Sequence, residues 1–166
     1  MTDEAVAAAI EGLKAAGIDF VATLPEANLQ PLVGCIADDS AFTWVPLARE
    51  EEGLGICAGA WLGGKKTAMV MMDAGLLTCC TALATLNVLA GIPVLLLVGL
   101  SGGLGEKYWM HSEVGRFTEP VLRAMNIVYA VCERVADLPR CVLDAQTLAV
   151  SSKSPVAVIL NRECLR

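Results

Sequence analysis

Apolar and polar positions along this chain alternate between a helical and a strand period. Glu4 to Ala16 places apolar residues at 6, 10 and 13, and Gly17 can end that helix in a left-handed conformation. Ile18 to Thr23 reads as a short strand, and Asn28 to Ala37 as a short helix with Pro31 in its first turn. A strand over Phe42 to Leu47 precedes a Gly/Ala-rich helix over Glu50 to Leu62. The strand Thr67 to Met72 leads to a second small-residue helix, Gly75 to Leu89, and then to the strand Val94 to Val98. Ser101 to Gly115 reads as a glycine-rich loop. A helix over Thr118 to Met125, a strand over Ile127 to Ala130, a helix over Ala136 to Ser151 and a strand over Pro155 to Leu160 complete the chain. Strands separated by helices predict an α/β fold, a three-layer α/β/α domain over 1–166 with a six-stranded, mostly parallel sheet. Ligands of such sheets bind beyond the carboxyl ends of the strands. That rule selects the segments 24–28, 48–52, 73–77 and 99–116.

Composition narrows the function. Of 166 residues, 55% are hydrophobic and 18% charged, with a net charge of −6. Soluble domains usually carry about 25% charged residues, so the shortfall predicts surface that a partner covers. Disorder is excluded by the apolar content. A net negative chain with 5% aromatic residues suits neither phosphate neutralisation nor base stacking, so no nucleic acid partner is expected. Ala74 to Gly105 contains no charged residue, a run long enough to cross a bilayer. Thr78, Thr81, Thr85 and Asn87 recur within it, Gly91-Ile92-Pro93 breaks it, and no basic cluster flanks it, so no membrane span is expected. The acidic start Met1-Thr2-Asp3-Glu4 lacks the features of a signal peptide, which predicts a cytoplasmic protein. Seven cysteines without a CxxC spacing read as reduced, mostly buried small hydrophobes.

Three loops carry candidate chemistry. Arg49-Glu50-Glu51-Glu52-Gly53 opens a helix with three carboxylates, a pattern that also simply favours the helix dipole. Gly53, Gly55, Gly59, Gly63 and Gly64 then strip that helix of side chains, at up to about 1 kcal/mol per interior glycine. Such a helix implies a neighbour packed close to its backbone. Asp73-Ala74-Gly75-Leu76-Leu77-Thr78 is a strand-to-helix turn whose glycine lets backbone approach a ligand, but it has neither the P-loop lysine nor a GxGxxG fingerprint. Ser101 to His111 combines glycines with Tyr108, Trp109 and the only histidine, which can exchange protons near neutrality. No GxSxG elbow is present, and one histidine rules out multi-histidine metal sites, so no metal site is expected in this chain.

These residues resemble the pyrimidine-binding domain of thiamine diphosphate enzymes. The resemblance rests on Arg49 to Ala60, with Glu50 and Gly59 nine apart, on Asp73-Ala74-Gly75-Leu76, on Leu83 and Asn87, and on Gly91-Ile92-Pro93-Val94 through Gly99. Within that family the sulfopyruvate decarboxylase alpha subunits are most similar, and phosphonopyruvate decarboxylases come next. The resemblance implies thiamine diphosphate as cofactor. It implies that Glu50 contacts the pyrimidine N1′ (Glu51 if the register slips by one, Glu52 behind both). Pro25, Asp73, Gly75 and Leu76 fall in cofactor-binding segments, and His111 falls near the substrate. The implied reaction is decarboxylation of a small 2-oxoacid, 3-sulfopyruvate to sulfoacetaldehyde and CO2 as in coenzyme M biosynthesis. No Gly-Asp-Gly occurs in the chain, so the resemblance implies a beta subunit that holds the diphosphate and Mg2+, with self-association of the alpha subunits as well. One departure stands out: relatives acting on phosphonates or sulfonates read Arg-Gly where this chain has Ser101-Gly102. Lys107, Arg116 or a beta-subunit residue are the candidates to supply that cation. The rival expectation is a non-catalytic α/β scaffold or regulatory subunit.

Overall fold

A computed structural model describes residues 1–165. Six strands form one sheet: β1 (Phe20–Thr23), β2 (Thr43–Pro46), β3 (Thr67–Met72), β4 (Leu95–Gly99), β5 (Val128–Cys132) and β6 (Val156–Leu160). Their order is β2-β1-β3-β4-β6-β5, and every pairing is parallel. The expected mostly parallel sheet is therefore wholly parallel.

Position in the sheet explains the strand sequences. β3, β4 and β6 lie inside and are buried at every residue, which sequences apolar everywhere but Thr67 allow. The edge strands β2 and β5 keep half-exposed and exposed positions. Alternate residues of each inner strand feed two apolar layers. Val70, Leu97 and Val158 pack with helices α1 (Asp3–Ala15), α2 (Gln30–Asp38) and α7 (Leu138–Ser152). Met69, Met71, Leu96, Val98 and Ile159 pack on the other face with α3 (Glu50–Leu62), α4 (Asp73–Thr78) and α6 (Trp109–Ala124). Each fully buried aliphatic side chain contributes about 1.5–3 kcal/mol.

Two expectations need correction. The helix expected over Gly75 to Leu89 is broken into α4, a three-residue turn α5 (Cys80–Ala82) and a π-helical turn at Leu83–Val88. The loop expected from Ser101 to Gly115 ends at Tyr108, because α6 already starts at Trp109. Gly115 lies within that helix. A Cβ there would collide with the carbonyl of Ser101, so this glycine marks a close backbone approach. A last short helix, α8 (Arg162–Leu165), follows β6. Among the described residues no helix is long and apolar enough to cross a membrane.

Candidate active site

The carboxyl ends of β2, β3, β4 and β6 carry the polar residues that matter. Three residues separate the end of β2 from α3, whose three acids have three different fates. Glu51 forms an ion pair with Arg49 at 2.9 Å. Glu52 turns back and accepts the Ala48 backbone N–H at 3.3 Å. Glu50, the first residue of α3, has no hydrogen-bond or ion-pair partner among the described residues and is half-buried. Its side chain lies against Gly75 of α4, where an added Cβ would sit 2.5 Å from Glu50 Cγ and Cδ. Gly75 is therefore the floor on which this carboxylate rests. Cys79 is buried nearby, and its thiol is pushed up to about 12 by burial and then by the Glu50 charge. Leu76 is buried in the apolar layer beneath, while Pro25 is exposed in the loop after β1.

Asp73 opens α4 and behaves differently. It is fully buried. Oδ2 accepts the Ser101 backbone N–H at 2.8 Å, and both carboxylate oxygens lie 2.8 Å from Ser101 Oγ. Thr118 Oγ1 of α6 donates to Oδ2 at 3.3 Å, and the Ala74 N–H donates to Oδ1 at 2.9 Å. Asp73 thus ties the turn after β3 to the loop after β4 and to α6. The departure at Ser101 and the carboxylate at 73 form one contact, and neither faces solvent.

A cavity of about 290 Å³ opens beside that contact. Asn28, Ser101, Glu106, Lys107, His111 and Arg162 are among its walls. His111 sits in the first turn of α6, with Nδ1 3.8 Å from Glu106 Oε1 and its ring edge-on to Tyr108 at 5.3 Å. Glu106 accepts backbone N–H bonds from Tyr108, Lys107 and Gly102 at 3.0, 2.8 and 3.1 Å. Those bonds, the Tyr108 bond foremost, hold its carboxyl below the usual range, with a smaller pull from His111. His111 lines this cavity, whereas Glu50, Pro25, Asp73, Gly75 and Leu76 do not. Of the cations considered for the position that Ser101 vacates, Lys107 lines the cavity, while Arg116 is paired with Glu113 at 3.2 Å outside it. Arg162 was not anticipated. The strand-end rule, applied to β6 as it was to the other strands, would have pointed to it.

The structure also gathers thiols. Cys132 and Cys164 lie 3.9 Å apart, Sγ to Sγ. Burial pushes the thiols of Cys132 and Cys141 up to about 11 and raises that of Cys164, which suits packing and not nucleophilic work. Among the described residues no group of His, Cys, Asp and Glu is arranged to hold a metal ion.

Known proteins fit this arrangement. A sulfopyruvate decarboxylase subunit alpha from Methanococcus maripaludis is 34% identical over 145 residues, covering 87% of each chain. Another from Methanocaldococcus jannaschii is 40% identical over 115 residues, 69% of this chain and 68% of the relative. The solved 2-oxoglutarate:ferredoxin oxidoreductase from Magnetococcus marinus shares the fold, with a TM-score of 0.74 at 18% identity. That match takes in 99% of this chain but only 29% of the oxidoreductase. Residues 3–117 match the family described as thiamine pyrophosphate enzyme, N-terminal TPP binding domain, and with the alpha-subunit relatives this shows that the chain belongs to that family.

Proposed function

We propose that this chain is the pyrimidine-binding alpha subunit of a thiamine diphosphate-dependent decarboxylase acting on 3-sulfopyruvate. The observation that carries the reading is the unpartnered carboxylate of Glu50, seated on Gly75 at the start of α3. The names of the relatives support the substrate and the existence of a partner subunit.

The corner fits the cofactor's pyrimidine. Glu50 has oxygens free for a ring nitrogen, whereas Glu51 and Glu52 are engaged elsewhere. Gly75 leaves room where any other residue would displace the carboxylate. When bound, thiamine diphosphate supplies the electron sink for decarboxylation. Glu50 holds or returns a proton at its carboxylate, and the apolar layer of Leu76 and Cys79 below it keeps water from the inner side. His111 offers an imidazole to the substrate, oriented by Glu106 and Tyr108. Asp73 and Ser101 hold the loops in register, and Ser101 also forms part of the wall of the cavity that His111 lines. Diphosphate and Mg2+ belong to the beta subunit.

Open surface supports that partner. An added Cβ at Gly55 or Gly59 would meet nothing within 4 Å, and Leu62, Val88 and Leu89 are exposed. Among the described residues nothing packs on α3 at Gly55 and Gly59, as expected of a helix face covered by another subunit. The same face is available for alpha–alpha association, and the 166 residues act as one cytoplasmic domain.

The test is co-purification with a partner bearing Gly-Asp-Gly, followed by assays on 3-sulfopyruvate, phosphonopyruvate and pyruvate. Decarboxylation is expected from the complex and none from this chain alone. Glu50→Gln should assemble and lose about 10²–10⁴-fold in rate, the usual worth of a placed proton-transfer group. Full activity of that variant overturns the assignment of Glu50. A stable complex that turns over none of the three acids favours a scaffold subunit.

A further inference from the structure

Cations in this chain are mostly spoken for. Seven Lys and Arg side chains lie within 4.0 Å of a carboxylate. Among the described residues only Lys66, Lys107, Lys153 and Arg162 do not. Two of those four, Lys107 and Arg162, line the same cavity, at the carboxyl ends of β4 and β6. In a chain of net charge −6 that concentration needs a reason.

Arg162 lines the cavity, and its guanidinium is anchored by the loop after β4. It donates from Nη1 to the Leu104 carbonyl and from Nη2 to the Gly105 carbonyl at 2.6 Å. A guanidinium has five N–H groups, so three remain for another acceptor. Gly105 has φ +82°, and an added Cβ there would lie 3.2 Å from Arg162 Nη1. The loop is thus shaped around the guanidinium. The Lys107 ammonium makes no hydrogen bond within the described residues; only its backbone N–H is engaged. The one carboxylate among the walls, Glu106, already accepts three backbone N–H groups, which leaves the cavity with a cationic surplus. His111 borders the same space.

We infer that Lys107 and Arg162 form the seat for the tetrahedral anionic head group of the substrate, the sulfonate of a sulfonated 2-oxoacid, in the cavity bordered by His111. The inference rests on the 2-oxoacid reading above and deepens it: it names the specificity residues, keeping Lys107 of the loop after β4 and adding Arg162 of α8. A sulfonate offers three oxygens, enough for a forked contact from Arg162 and a point charge from Lys107.

The test is calorimetric titration of the full chain with sulfoacetate and, separately, with acetate, which lacks the second anionic group. The wild type should prefer sulfoacetate by about tenfold or more, the scale of one charge-assisted contact. Arg162→Gln and Lys107→Gln should each remove most of that preference, whereas Arg116→Gln should keep it. Lys107→Gln guards against loop loosening, since the Lys107 side chain holds nothing in the fold. A wild type without preference, or either glutamine variant with the wild-type ratio, overturns the seat. In the reconstituted complex the two variants should raise KM for 3-sulfopyruvate. If the complex leaves 3-sulfopyruvate intact while the sulfoacetate preference stands, the decarboxylase reading fails and the seat survives. If turnover proceeds with unchanged KM in both variants, the seat fails and the decarboxylase reading survives.

Discussion

Glu50 and Asp73 occupy equivalent places. Each is the first residue of a helix that follows a parallel strand, at the same edge of the sheet, and each carries an aspartate- or glutamate-type charge at a helix N-terminus. Their surroundings are opposite. Asp73 is fully buried and takes hydrogen bonds from Ser101, Thr118 and Ala74. Glu50 is half-buried, rests on a glycine and has no partner among the described residues. A saturated carboxylate fixes loops, because every lone pair already has a donor. An unsaturated one, held in place sterically, keeps its lone pairs for something outside the chain. The helix-dipole explanation applies equally to both and so cannot account for the difference.

The contrast can be broken in order of effect. The largest expected change is the activity loss of Glu50→Gln in the complex, which should come with little change in stability of the chain, within about 1 kcal/mol for one charge at a helix start. A large drop in melting temperature would mean that Glu50 is structural after all. Next is Asp73→Ala, which strands the buried Ser101 N–H and leaves the Ser101 and Thr118 hydroxyls only their 3.3 Å contacts to the His111 and Val114 carbonyls. Thermal or denaturant unfolding should show a loss of about 1–3 kcal/mol, the cost of one buried unsatisfied donor. A neutral result would deny Asp73 its anchoring role. Gly75→Ala should then cost about 1–3 kcal/mol through overpacking against the Glu50 side chain. Most of that cost should vanish in the double variant with Glu50→Ala, which removes the obstructed group. Additive losses would show that the two do not touch.

The smallest effect concerns Glu106. Its carboxyl is held below its ordinary value of 4.5 by backbone N–H groups, chiefly that of Tyr108. A depressed folded value means that its contribution to loop order is complete above about pH 4.5 and is lost as pH falls through the lower folded value. Trp109 fluorescence should therefore report loosening of 101–108 only in that acid range. Glu106→Gln should abolish the acid transition.

The fold was legible where each local signal agreed with the packing. The sequence boundaries of α3 and β3 coincide with the structure, because charged Arg49, Gly63 and an all-apolar run after Thr67 mark them without ambiguity. α6 was read too short because Gly115 looks like a loop residue, although it is small only to admit the Ser101 carbonyl. The π-helical turn at Leu83–Val88 leaves no mark in apolar spacing, since Leu-Ala-Thr-Leu-Asn-Val suits an ordinary α-helix equally well. Within the candidate site, the loop sequence marked out His111, and the family resemblance singled out Glu50 among three adjacent acids. The bond between Asp73 and Ser101 could not be read, because residues 28 apart meet only through the β3–β4 register that sets Met72 beside Gly99. Arg162 reaches across a still longer separation to Leu104. Such contacts belong to topology, which hydrophobic periodicity does not encode.

The strand order also governs how the chain comes together during synthesis. β6, the last of these six strands in sequence, lies between β4 and β5. Until residues 156–160 leave the ribosome, β4 has an open edge and β5 has no neighbour at all. The sheet closes only when β6 slides between its two neighbours, so from the synthesis of β4 at residues 95–99 until that of β6 at 156–160 the nascent chain carries a bare apolar edge, the condition that invites aggregation or chaperone capture.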